Sequence, residues 1–390
     1  MKKDVTVHYG LSVAVYSLGY VAMSAFSSLY LLDKGFTNGQ IGILLAIASL
    51  VSVALQPVAG ALIDRNPKVS TKGVLLSIAS VILVMGIVLL VFPNMGFEST
   101  SIIYGLSIML LMLGQPFINA LGTDAINYGY KINLGAGRSL GSLGYAIGSF
   151  AFGRISVIFG PKSVPSVFSI AFFVFSLILV FYPVKKDIAL QVSDDNKPKE
   201  SPFLFLIKYK RFTVTLFGLI LVYFSHSLIN TFALQVVTTK GGTSGDMGTA
   251  SAIAAGCELI TAFFFFWYMK HIKLSTIIKV SGVFFTLKIF FSFLVPNVIT
   301  FYLIQALQMF GWGFMAIGVV VYVNALVGDD DKAQGQAYAG MAYTIACVIA
   351  TSLGGVILDK FGVNMMLITG TILSALGTII LWFSVEDVKA

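Results

Sequence analysis

Charge is what this 390-residue sequence lacks most: Asp, Glu, Lys and Arg together supply 11% of its residues. A water-soluble fold has far more surface than so few charges can cover, so a soluble globular domain is excluded. Cysteine is almost absent. Cys257 and Cys347 both sit mid-way along apolar stretches, which excludes a disulfide framework and a cysteine metal site. The three histidines show no ligand spacing, so neither a metal nor another cofactor is expected. No phosphate-binding glycine loop and no hydrolase triad is legible, and the chain is not read as an enzyme. A membrane receptor or assembly protein is the reading from another class. It calls for a sizeable soluble signalling domain, and none is legible here.

Apolar residues take the place of charge. They make up 57% of the chain, with 33 Phe and a mean hydropathy of +0.91. About 20 apolar residues in a helix cross the roughly 30 Å hydrocarbon layer. A helix also satisfies its own backbone, which lipid does not. Twelve such segments are legible: 8–32, 40–63, 73–93, 101–126, 138–159, 163–184, 211–236, 247–269, 274–295, 298–327, 335–358 and 364–385. Met1-Lys2-Lys3 precedes the first. That segment is too long for a signal-peptide core and lacks a small-residue cleavage site, so it is read as spanning. The fold class expected is an all-α membrane protein of twelve transmembrane helices. Residues 1–184 and 211–390 form two six-helix halves, and the polar stretch 185–210 is a cytoplasmic linker between them.

Of the 25 Lys and Arg, eighteen fall in the termini and alternate connections, and five (Lys34, Arg154, Lys162, Lys240 and Lys360) fall on the other side. The positive-inside rule then puts both termini in the cytoplasm, in a bacterial cytoplasmic membrane. Orientation accounts for the net charge of +8, so no nucleic-acid partner is expected; the bilayer is. The two halves echo each other weakly, with Gly148, Gly153, Phe159 and Gly160 matched by Gly354, Gly355, Phe361 and Gly362. Transporters built from related halves show such echoes and bind solute near mid-membrane.

A charge at mid-membrane costs about 2.5–3.5 kcal/mol on insertion scales. Asp124, Glu258, Arg138, Lys288 and His226 nevertheless lie in or beside the apolar segments. Structural pairing between helices is one explanation. A shared aqueous cavity explains them together with the neutral polar residues Gln115, Asn119, Asn230, Gln235 and Gln308. Tyr16, Tyr20, Tyr145 and Trp312 accompany them, and Tyr145 lies two turns from Arg138. Amides, carboxylates and a stacking ring suit a polyhydroxylated solute or a nucleoside.

Gln56-Pro-Val-Ala-Gly60-Ala-Leu-Ile-Asp64-Arg65 resembles the signature that follows the second helix of the major facilitator superfamily. Asp359-Lys360 has a looser likeness. Within the superfamily the chain resembles the oligosaccharide:proton symporter branch, the lactose permease type. Pro116-Phe-Ile-Asn119, Gly137-Arg138-Ser-Leu-Gly141-Ser-Leu-Gly144-Tyr145, Gly256-Cys257-Glu258-Leu259, Leu287-Lys288-Ile289 and Leu307-Gln308-Met309-Phe310 carry the likeness. It implies the major facilitator fold, with Gly60, Asp64 and Arg65 in a gating motif. It also implies sugar binding by Arg138, stacking by Tyr145 in place of tryptophan, and an amide, Asn119, where the family has a carboxylate. Glu258 matches the acid at the junction of sugar binding and proton coupling, and Lys288 matches an arginine. Gln308 and Gly311 stand where the family has histidine and glutamate, His226 replaces an aspartate, and Tyr343 lies near a lysine position.

The expectation is a monomeric secondary transporter that takes up a sugar or oligosaccharide with a proton. Asn119, Arg138, Tyr145, Glu258, Gln308, Gln115, Asn230, Tyr20 and Trp312 would contact substrate, and Glu258, His226 and Lys288 would carry coupling. Nucleoside uptake, uncoupled facilitation and drug efflux are the rival transport readings. Efflux ranks below the others because the fifth segment lacks the proline-containing glycine signature of many exporters.

Overall fold

The computed structural model describes residues 4–66, 69–183 and 202–388, and only the backbone at Asp64, Arg65, Pro202 and Phe203. Apolar helices account for almost all of it. In chain order they are α1 (Thr6–Tyr20), α2 (Ser27–Asp33), α3 (Asn38–Arg65), α4 (Thr71–Val91), α5 (Phe97–Asn127), α6 (Leu134–Phe159) and α7 (Ser163–Val180). Then come α8 (Pro202–Lys208), α9 (Lys210–Thr231), α10 (Ala233–Thr239), α11 (Ser244–His271), α12 (Leu274–Leu294), α13 (Val298–Gln305), α14 (Trp312–Leu326) and α15 (Lys332–Ser384).

Ten helical stretches are individually long and apolar enough to cross a membrane, and α1 with α2 adds a span bent by 43°. One of the ten, ending in α15, is interrupted at Gly362, whose φ of 78° and ψ of 177° are non-helical. That backbone region is essentially glycine's alone. The interruption falls between the two segments expected at 335–358 and 364–385, so the twelve expected spans are present among the described residues.

Three spans are less regular than their composition suggests. The first passes from α1 through a π-helix, Val21–Ala25, before the bend at Phe26. The seventh breaks at Phe232, between α9 and α10. The tenth changes to a 3-10 turn, Ala306–Met309, before α14 resumes. Backbone freed by such breaks at membrane depth needs new partners, and neighbouring hydroxyls supply them. Tyr104 Oη donates to Met23 O at 2.7 Å and Thr261 Oγ1 to Met309 O at 2.8 Å, while Ser281 Oγ adds a second donor, at 2.6 Å, to Gly311 O, which also accepts from Met315 N. Pro116, inside α5, has no N–H for the carbonyl four residues back; Gln56 Nε2 approaches that carbonyl, Met112 O, at 3.4 Å.

The chain forms two compact units: Met1–Thr37 with Leu44–Asp195, and Asn38–Ile43 with Asn196–Ala390. In the first unit α1 packs on α6 and α7, and α4 on α5 and α7. The α1 backbone itself meets α6 at Gly144, where a Cβ would come within 2.8 Å of Ala14 O. In the second unit α15 packs on α9 and α12, and α14 on α11 and α12. Large apolar side chains such as Phe263, Phe266 and Phe383 point outward, which suits a lipid solvent.

Two boundaries differ from the sequence expectation. The first turn of α3 groups with the second unit because Asp359 accepts from Asn38 N at 3.0 Å, Asn38 Nδ2 at 2.8 Å and Gly39 N at 2.6 Å. A carboxylate there satisfies first-turn N–H groups. The end of the expected linker 185–210 is helical. Pro202 opens α8 at a position where its missing N–H costs nothing, and Phe205 buries fully beside Phe212 and Tyr338. Most of the remaining linker, 185–201, lies outside the described residues.

Candidate transport site

In the second unit, Glu258 on α11, Lys288 on α12 and Gln308 in the 3-10 turn form one chain of hydrogen bonds. Lys288 Nζ donates to Gln308 Oε1 at 2.6 Å, and Gln308 Nε2 donates to Glu258 Oε1 at 2.7 Å. Lys288 and Gln308 are each only 3% exposed. An ammonium only donates and an ionised carboxylate only accepts, so the two ends fix which way the amide points. The amide stands between opposite charges that do not touch directly. Both of its polar ends are engaged by protein, a feature invisible when Gln308 is read merely as one of several amides.

Beside this chain, His226 on α9 lies flat on Trp312, with ring centroids 4.5 Å apart and planes 5° apart. Asn230, one turn on, places Nδ2 3.0 Å from His226 Nε2. With the amide nitrogen donating, the imidazole proton sits on Nδ1, which is buried with no hydrogen-bond partner. Tyr223, Tyr343 and Phe285 close the aromatic group around the pair. Lys288 also acts on His226 electrostatically. The sequence-chosen residues Glu258, Lys288, Gln308, His226, Asn230 and Trp312 therefore form two adjoining clusters. Sequence reading undervalued Tyr223 and Thr261; neither bears a charge, and only contacts with distant segments reveal them.

The first unit gathers fewer of its candidates. Tyr20, the last residue of α1, meets Tyr145 of α6 at a ring separation of 6.5 Å and a 47° tilt. Asn119 Nδ2 donates to Gln115 O of its own helix at 3.2 Å, while the Gln115 side chain is exposed. Arg138 is also exposed, and it acts electrostatically on Tyr9. Tyr145 and Arg138 share α6, as their spacing required. Asp124 is half-buried near Tyr128 and Tyr182. Of the gating motif, Gly60 is described and a Cβ there would meet open space; the side chains of Asp64 and Arg65 lie outside the described residues. Among the described residues no group of His, Cys, Asp and Glu is arranged to hold a metal.

A profile of the MFS_1 like family matches residues 13–369. The chain belongs to that family. Membership places it with membrane transporters of the major facilitator type, and the fold agrees. A crystal structure of a variant of the nucleoside transporter NupG is similar at a TM-score of 0.82 and 13% identity, over 97% of this chain and 98% of that one. NupG itself gives 0.77 at 13% identity, over 97% of each chain. A variant of the peptide transporter POT gives 0.74 at 13% identity, over 96% of this family member and 93% of that chain. At such identities the likeness concerns fold. Comparison with curated protein sequences gave no match.

Proposed function

We propose that this family member is a secondary transporter that takes up a small polyhydroxylated solute of the sugar class together with a proton, by alternating access. It works as a monomer in a bacterial cytoplasmic membrane with both termini cytoplasmic, as its Lys and Arg distribution suggests. The Glu258–Gln308–Lys288 chain carries this reading. Protonating Glu258 removes the negative end of the chain and leaves the Lys288 charge uncompensated in a buried setting. An unpaired buried charge costs several kcal/mol, enough to favour another arrangement of the second unit. Solute binding that favours one arrangement is thereby linked to proton binding. In the first unit Arg138, Asn119 and Gln115 supply hydrogen bonds to hydroxyls, and the Tyr20–Tyr145 pair supplies a ring to cover an apolar face.

Nucleoside uptake is the second reading, favoured by the aromatic group around Trp312 and by the likeness to the nucleoside transporter NupG. A thermal-shift panel of mono-, di- and trisaccharides and nucleosides on purified protein separates the two. Binding to the folded state raises apparent stability. A saccharide shift abolished by Arg138→Ala or Tyr145→Ala supports the sugar reading, whereas a shift with nucleosides alone replaces it. Uptake of the ligand so found, in proteoliposomes under an imposed pH gradient, tests coupling. Accumulation that survives Glu258→Gln with the same pH dependence overturns it.

A further inference from the structure

We propose that Thr261 and Ser281 are positioning residues whose hydroxyls hold the break in the tenth span at the register that presents Gln308 to both Glu258 and Lys288. This deepens the coupling reading above and rests on it. The tenth span holds no proline to force a break. Its 3-10 turn nevertheless runs over Ala306–Met309, and Gly311 leaves helical backbone with φ −78° and ψ −96°. At this break Met309 O accepts from Thr261 at 2.8 Å, and Gly311 O, which accepts from Met315 N at 3.1 Å, accepts also from Ser281 at 2.6 Å. Both donors are fully buried. Thr261 stands on α11 one turn beyond Glu258, and Ser281 stands on α12 two turns before Lys288. The two helices that carry the charges therefore also carry the hydroxyls that anchor the turn between them.

In a dry environment a carbonyl released by such a break needs a donor, which Thr261 gives to Met309 O, while the Ser281 bond pins Gly311 at its non-helical backbone. If the hydroxyls are removed, the turn gains by reverting towards a continuous helix. Gln308 then rotates away from its two partners. Both donors are neutral, so they act only through the turn. The charged and titratable groups acting on Glu258 are Lys288 across the Gln308 amide and Cys257 on its own helix; Lys288 in turn acts on His226 of α9.

The test uses the full chain with Thr261→Val, Ser281→Ala and the conservative Thr261→Ser. Hydrogen–deuterium exchange reads the amides of 306–313, and an acid-minus-base infrared difference spectrum reads the buried carboxyl, assigned by its loss in Glu258→Gln. In Thr261→Val and Ser281→Ala, exchange over 306–313 should slow about tenfold, as an amide at the break gains one helical hydrogen bond. The carboxyl band should shift in frequency and midpoint, while Thr261→Ser matches the parent. Parent-like exchange and band in both hydroxyl-free variants overturn the inference. So does a Thr261→Ser protein as altered as Thr261→Val, which would make packing the cause. If no band disappears in Glu258→Gln, the coupling reading falls, and the exchange data alone judge the role of the hydroxyls.

Discussion

The ammonium of Lys288 is the most exposed to consequence of any single side chain in the second unit, because its one hydrogen bond ends on an amide rather than on a carboxylate. Lys288→Met leaves Glu258 charged, half-buried and attached only to Gln308, which should cost up to about 3 kcal/mol. Glu258→Gln combined with Lys288→Met removes both charges and should recover most of that loss. A double-mutant cycle of detergent melting midpoints checks this, and strictly additive losses would mean that the two charges do not communicate through Gln308. The sequence made these residues legible as polar groups at membrane depth, since each stands out against its apolar segment. What it hid was their pairing. Lys288 and Gln308 are 20 positions apart and Gln308 and Glu258 are 50 apart, and nothing local to any of them encodes the contact. Arg138 shows the converse: its likeness to a sugar-binding arginine is clear in the sequence, yet within its own unit it stands exposed, with an electrostatic effect on Tyr9.

Among the elements, breaks rather than lengths separate expectation from outcome. Spans of about 20 apolar residues read directly as helices. The π-helix at Val21–Ala25 and the 3-10 turn at Ala306–Met309 did not, since neither holds a proline or a glycine and the donors that stabilise them lie on other spans. Tyr104→Phe tests the first of these. It keeps the ring stacked on Tyr30, 5.5 Å away, and deletes only the donor to Met23 O, so it should destabilise by about 1–2 kcal/mol. Since the π-helix begins directly after Tyr20, the same change should weaken binding of any ligand found to stack on Tyr20. Melting midpoint and dissociation constant measure the two effects, and an unchanged midpoint would show that the carbonyl needs no partner. Beyond the last helix, Lys273 donates to Asp387 at 2.6 Å and Ser275 donates to its other oxygen. These bonds, Lys273 first, hold the Asp387 carboxyl below its usual range. A depressed carboxyl stabilises above its unfolded value, about 3.9, and the contribution is lost as pH falls through the lower folded value. Asp387→Asn should therefore melt slightly below the parent at pH 7, with the two melting curves converging on acidification. A constant gap across pH would assign the difference to packing.

For the whole molecule, the number of spans decides more than any contact does. Twelve is even, so the proposed transporter has both termini on one side of the membrane, and the turn at Gly362 is what makes the last crossing a return. Without a break there, α15 would run 53 residues as a single helix, about 80 Å at 1.5 Å per residue and far longer than a bilayer. The sequence showed this division through Asp359-Lys360-Phe361-Gly362 and through segment length, which is why the overall architecture was legible when the helix breaks were not. Gly362→Ala puts a Cβ on backbone at φ 78° and ψ 177°, at a cost of about 1–3 kcal/mol. The strain should appear as a lower melting midpoint, while topology stays the same because the flanking Lys360 and the length of each span still demand two crossings. Cysteine accessibility at residues 2 and 389, read with a membrane-impermeant thiol reagent on intact cells, should report both ends as protected in the parent and in Gly362→Ala alike. Labelling of either end from outside would break the even count or reverse the orientation drawn from the Lys and Arg distribution.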